Sequence, residues 1–306
     1  MRRVEELGEA SLLEATRAVI EDSVMLLGVQ LAAGVDAVAD PVIDWHDLLR
    51  PFAEAWRGVW VDGLNRWFDN NFFYRIPVVE ELPDPQRLVT PPRVKALRCM
   101  LPEWVAIRVT LPGPVTFTRL ARIRGGLDEV RVAERVAEIL ALEAEKSVAN
   151  GASVVDIHEP FLGDIDARPE DGELAARLAS MIASRVEGKA RVRLLTYYAP
   201  PRPEVWEKLA EAKVDAVMID YVDSPGKAEE ALSRWAPRRL ILGLVNARSI
   251  YPEDPRRVAD DAKRLAYKYN VEELVVAMSA PVDLIPLRYA VEKTRIACEA
   301  ARLASL

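Results

Sequence analysis

Two histidines, His46 and His158, are the only imidazoles in 306 residues, and imidazole is the side chain whose ordinary pKa lies nearest neutrality. His158 sits in the run VVDIHEP with Asp156 and Glu159. Alternation along a strand turns Asp156 and His158 to one face and Glu159 to the other, so Asp156 and His158 form a candidate acid–base group. The plain alternative is a hydrogen-bonded structural histidine. Tyr197, in the TYY run that ends another apolar stretch, could stack a planar ring and offer a hydroxyl, or simply pack. Asn246 and Arg248 come after LILGLV, where a guanidinium could clamp a carboxylate with two parallel bonds or form a surface ion pair. Asp40, Asp44 and Trp45 crowd one segment with His46 and Asp47. Carboxylates there could bind a ligand, and at least one is expected to cap the next helix. Thr116 lies in LPGPVTF, whose Pro-Gly-Pro turn lets backbone approach a ligand or merely starts a helix. None of these residues is singled out as catalytic.

The elements that would position these residues form a regular pattern. Apolar residues of the first 33 positions recur at three- and four-residue spacing (Leu12, Ala15, Val19, Ile20, Val24, Leu27), predicting a leading helix. A short run, VDAVA, comes next, and residues 45–74, rich in Trp, Phe and Asn, read as helix and then a structured loop. The runs WVAIRVTL, ASVVDIHEP, RVRLLTYY, DAVMIDYV, RLILGLV and ELVVAMS then alternate with helical stretches. That alternation predicts βα units around a parallel sheet. Each run ends in or near polar residues (Thr116, His158, Tyr197, Asp220, Asn246, Ser279), as the strand ends of a TIM-type β/α barrel do at its active-site mouth. An open doubly wound sheet is the rival, but no Gly-rich phosphate turn is present. With VDAVA the readable strands number about seven, one short of usual closure. The reading is a single barrel domain over residues 1–306, with 1–33 as leading helix and the Pro-rich 82–93 as an insertion hairpin or lid.

Composition narrows the function classes. A net charge of −7 argues against nucleic acid as a partner. The N-terminus lacks the apolar core of a signal peptide and no run is long enough to span a bilayer. Cys99 and Cys298 form no CxxC pair. A cytoplasmic protein is expected. Two Gln and six Asn against many Arg, Glu and Pro suggest a thermophile source.

Taken in order, these segments resemble the cobalamin-independent methionine synthase family. GVDAVADPVIDWHDLLRPF is similar to the family's stretch after its first long helix, LPGPVTF to its GPvTf turn, and VVDIHEP to its strand ending in Asp-Glu-Pro. LLTYY resembles the LLTTYF of the N-terminal barrel, and LGLVNARSIYPEDP a "GvVdgRniw" loop. The resemblance runs from residue 28 to 302 and favours the N-terminal barrel over the C-terminal catalytic one.

The resemblance implies methionine biosynthesis: methyl transfer from a methylated folate, or in short relatives a corrinoid, to homocysteine held as a zinc thiolate. Where the family's His-x-Cys zinc ligands would stand, this chain has Leu195 to Tyr197, and the late Cys falls at Ala280. Zinc is therefore not expected here, no cofactor is expected to bind tightly, and a methylated folate is the candidate ligand. His158 replaces the family's Asp, which is its contact to the homocysteine amino group, while Glu159 and Pro160 match. Met1 to Ala10 show no counterpart of the family's opening strand. These departures predict a methyltransferase-family chain that binds the donor or supports a separate zinc-bearing barrel, the other candidate partner being a second copy of itself. The alternatives are an independent uroporphyrinogen decarboxylase-like or corrinoid-dependent enzyme, and a non-catalytic structural or regulatory subunit.

Overall fold

The computed structural model describes residues 11–305, so the expectation for Met1 to Ala10 lies outside them. The leading helix is α1 (Leu12–Ala33), opened by a reciprocal cap. Ser11 Oγ accepts from Glu14 N at 3.2 Å while Ser11 N donates to the Glu14 carboxylate at 2.8 Å. It ends at Gly34, whose φ of 82° is the left-handed conformation that glycine adopts without a Cβ penalty. The chain then forms β1 (Ala37–Ala39), the one-turn α2 (Arg50–Ala53), β2 (Trp56–Arg66), β3 (Phe73–Pro85) and α3 (Thr90–Met100). Next come β4 (Ala106–Pro112), α4 (Pro114–Leu120), β5 (Arg122–Ile123), α5 (Glu129–Ala149), β6 (Val154–His158) and α6 (Pro169–Ser184). The last part holds β7 (Arg191–Leu195), α7 (Pro203–Trp206), β8 (Ala216–Asp220), α8 (Pro225–Arg234), β9 (Arg239–Val245), α9 (Pro255–Lys268), β10 (Glu273–Met278) and α10 (Leu287–Ala304).

Seven strands form one parallel sheet in the order β1-β4-β6-β7-β8-β9-β10. This is the TIM-type barrel expected from the sequence, one strand short among the described residues, with β1 and β10 as its two edges. Burial sorts the faces. Ile107, Val109, Val155, Ile157, Val192, Leu194, Val217, Ile219, Leu240 and Leu242 join the large core beneath the helices. Residues of the other parity, Leu195, Ala216, Met218 and Ile241, form a separate small cluster inside the barrel with Tyr197, Ala247 and Ala280. Strands apolar on both faces are what a helix-covered parallel sheet requires.

At the β1 edge, the side-chain amide of Gln30 stands in for a peptide group. Its Nε2 donates to Ala39 O at 3.0 Å, and its Oε1 accepts from Ala39 N at 2.9 Å.

The segment 45–74 departs from the helix-and-loop expectation. Its helix is a single turn, and the chain continues into an antiparallel hairpin of β2 and β3, extended by β5 into a second, three-stranded sheet. Gly58 and Gly63 disguise the strand. Both have positive φ (83° and 61°) and lie at register shifts that break the alternation. Of residues 82–93, 82–85 end β3, the second strand of that hairpin, and 90–93 open α3.

Candidate site at the barrel mouth

The β4–α4 turn shows why LPGPVTF has its composition. Glu159, fully buried, accepts from Val115 N at 2.9 Å, Thr116 N at 2.7 Å and Thr116 Oγ1 at 2.6 Å. Thr116 Oγ1 in turn accepts from Phe161 N at 3.2 Å. Burial pushes the Glu159 carboxyl up to about 7 even against these bonds from Thr116 and Val115. Glu159 and Thr116 thus clamp two mouth loops together, with their polar atoms turned to each other.

The Asp40 segment is organised by Arg93 on α3. Its guanidinium meets Asp40 at 2.5 and 3.1 Å and Asp44 at 2.8 Å, and lies 5.8 Å from the ring centre of Trp45. The N-cap of α2 is Leu49, without a side-chain bond, so Asp47 closes the turn leading into the helix rather than capping it as expected. Asp47 accepts from Leu49 N at 2.8 Å and Arg50 N at 2.7 Å, and binds the hairpin through Arg75 N at 3.0 Å.

Inside the barrel, Asp156 and His158 share the inner face of β6 as alternation predicts. His158 Nδ1 lies 3.1 Å from the Tyr197 hydroxyl. Its Nε2 is sealed from solvent without a hydrogen-bond partner among the described residues. Burial pulls the imidazole down to about 4, against the attraction of Asp156, so the ring is neutral at pH 7. Asp156 is held by Arg193 at 2.6 and 2.9 Å and by Arg108 at 3.2 Å. Burial raises its carboxyl, but the charges of Arg193 and Arg108 outweigh that and keep it below the usual range.

Arg248 ties four loops at the mouth. It pairs with Asp223 and reaches Asn70 Oδ1 at 3.4 Å and Tyr198 O at 3.5 Å. Tyr198 Oη accepts from Trp67 Nε1 at 3.1 Å. The loop joining β2 to β3 therefore closes over the strand ends. Phe68 and Tyr198, in ring contact at 5.6 Å, both have left-handed backbones (φ 53° and 75°), a conformation costing about 1–3 kcal/mol for such residues. Asn246 Oδ1 accepts from Arg248 N at 2.8 Å, and Asn246 N donates to Glu253 at 2.9 Å. Beneath them Asp220 is fully buried; its Oδ1 accepts from Val222 N at 2.9 Å and Asp223 N at 3.2 Å, and among the described residues no donor reaches Oδ2. Burial, then Asp223 as bonding neighbour and like charge, push the Asp220 carboxyl up to about 8.

The structure thus gathers His158, Tyr197, Asn246 and Arg248 around the mouth. It ties Thr116 and Glu159 into the β4–α4 clamp, and Asp40, Asp44 and Trp45 around Arg93. Sequence reasoning passed over Arg93, Arg108, Arg193 and Asp223. The one available signal was a charge at an inward position of an apolar run, as in WVAIRVTL and RVRLLTYY. Leu195, Tyr197 and Ala280 are grouped in the apolar cluster inside the barrel. Their side chains do not fit zinc, which takes thiolate, imidazole or carboxylate, and among the described residues no group of three His, Cys, Asp or Glu is arranged to hold a metal. No described helix is long and apolar enough to cross a membrane.

Among solved structures, a B12-independent methionine synthase from Shewanella sp. W3-18-1 superposes with a TM-score of 0.83 at 18% identity, covering 97% of this chain and 90% of that one. A methyltransferase from Methanosarcina mazei gives 0.64 at 16% identity, covering 90% and 82%. These likenesses concern the fold. Curated relatives named 5-methyltetrahydropteroyltriglutamate–homocysteine methyltransferase align at 28% identity in Mycolicibacterium paratuberculosis (73% of this chain, 30% of the relative) and 24% in Bacillus velezensis (82% and 32%). The chain spans about a third of the length of these two relatives. The N-terminal domain model of cobalamin-independent synthase matches residues 59–270, a stretch running from the hairpin through the last turn of α9, and the chain accordingly belongs to that family.

Proposed function

We propose that this chain works in methionine biosynthesis as the zinc-free member of a two-barrel system, binding a methyltetrahydrofolate-type donor beside a separate zinc-bearing barrel that methylates homocysteine. The observation that carries this reading is the mouth itself. Trp67, Phe68, Tyr197 and Tyr198 bring aromatic rings to one place, and Arg248 stands 5.9 Å from the Tyr198 ring centre. Rings beside a guanidinium suit a flat heteroaromatic ligand that carries carboxylates. The side chains at Leu195, Tyr197 and Ala280 support a donor-side rather than thiol-activating role.

Titration of the full chain with 5-methyltetrahydrofolate, monitored by quenching of tryptophan fluorescence, should saturate. Mixing with a zinc-bearing barrel should yield a copurifying complex or faster methyl transfer to homocysteine. Absence of all three, binding, complex and stimulation, would sink the proposal, and stoichiometric zinc in the purified chain would contradict its zinc-free assignment.

A second reading rests on Asp220, Asp223 and Arg248. A buried carboxyl beside a carboxylate and a guanidinium is acid–base machinery suited to a carboxylated substrate. An independent enzyme related to uroporphyrinogen decarboxylase would use it so, and absorbance changes on adding a porphyrin or corrinoid would support that reading.

A further inference from the structure

Inside the barrel, two arginines share one carboxylate in different ways. Arg193 lays its Nε and Nη2 edge against Asp156, with bonds of 2.6 and 2.9 Å to the two oxygens. Arg108 reaches the same carboxylate through Nη1 alone at 3.2 Å. The corresponding Nε and Nη2 edge of Arg108 carries no hydrogen bond among the described residues, and its Nε is sealed from solvent. Through the same edge Arg193 holds Asp156 bidentately.

The charges do not balance. Arg108 and Arg193 together carry two positive charges, and Asp156 is the one carboxylate that the described structure sets against Arg108. His158, two residues above Asp156 on the inner face of β6, is neutral at pH 7 and so contributes no charge. His158 Nε2 is sealed from solvent with no hydrogen-bond partner among the described residues, and it is a donor in the tautomer whose Nδ1 accepts from the Tyr197 phenol. Unpaired buried donors each cost about 1–3 kcal/mol, and an incoming anion recovers that cost.

Arg108 is the most exposed member of this cluster. Asp156 is 1% exposed and Arg193 16%, whereas Arg108 keeps 36% of its side chain exposed. The residue across from Arg108 on the edge strand β1 is Ala39, a methyl group.

We propose that the barrel interior contains a carboxylate-binding site, in which the free Nε and Nη2 edge of Arg108 takes a small organic carboxylate at a position where Asp156 is already saturated. His158 Nε2 provides a further donor toward the mouth for a longer ligand of the same class. This site stands apart from the donor reading, because it requires a carboxylate of any origin and no folate.

The test uses propionate and its neutral counterpart propionamide on the full chain. Propionate should give a saturable perturbation of the His158 ring resonances and a saturable rise in Tm, and propionamide neither. Arg108→Gln should weaken propionate binding at least tenfold. Arg108→Lys, which keeps the charge and loses the fork, should weaken it by a similar factor and serves if Arg108→Gln fails to fold. Equal response to propionamide, absence of saturable propionate binding, or affinity within twofold of the parent in the folded Arg108 variant would overturn the site. Loss of folate binding with intact propionate binding would remove the donor reading and leave this one standing.

Discussion

Gly113 lies so close to Glu159 that a Cβ built on it would stand 2.0 Å from the carboxyl carbon. The side chain that caps α4 thus occupies the space a larger residue at the turn would need. Gly113→Ala should destabilise the fold by about 1–3 kcal/mol through overpacking, read as a lower midpoint in urea. Part of that cost should vanish in a Glu159→Ala background, since the two changes touch the same atoms. Simple additivity would place the clash elsewhere.

Asp220 gives the protein a pH dependence of definite sign. Its folded pKa of about 8 lies above the ordinary value of 3.8, so between those values the folded state holds more protons than the unfolded one. Stability therefore falls as pH rises through that window. Glu159, pushed up to about 7, acts in the same direction. His158 acts oppositely but only from its ordinary 6.5 down to about 4, which leaves pH 6.5 to 9 the clean range. Asp220→Asn should flatten the decline in urea midpoint there, and an unchanged slope would refute the assignment.

Asp156 is the one carboxylate bonded to both arginines of the barrel interior, and it is itself fully buried. Asp156→Asn should cost about 3–5 kcal/mol, because it leaves guanidinium charge unopposed in a desolvated site. Chemical denaturation measures this directly. A cost below about 1 kcal/mol, the range of an exposed pair, would mean that the cluster is solvated.

Arg248 fastens the hairpin loop to the mouth through Asn70, Tyr198 and Asp223. Arg248→Met should speed hydrogen exchange in residues 66–73 while leaving the β6 and β7 amides unchanged. Uniform acceleration would make the residue a general stabiliser rather than a tether.

The barrel was legible in the sequence because its strands are apolar on both faces and end in polar residues, as RLILGLV and DAVMIDYV do. The hairpin was not, because positive φ at Gly58 and Gly63 interrupts the two-residue period on which strand reading depends. Alternation placed His158 and Asp156 on one face and Glu159 on the other. The same alternation marked Arg108 and Arg193, but their meaning depends on strands β4 and β7 flanking β6, and adjacency of that kind is a property of the sheet. Asp40 and Asp44 were visible as a cluster, while their partner Arg93 comes from a helix some 50 residues later and no local pattern announces it.

The amide of Gln30 has a consequence for how copies of this chain can associate. By occupying both backbone groups of Ala39, it removes from this edge one donor and one acceptor that an incoming strand would use, and an exposed edge is what templates sheet growth between molecules.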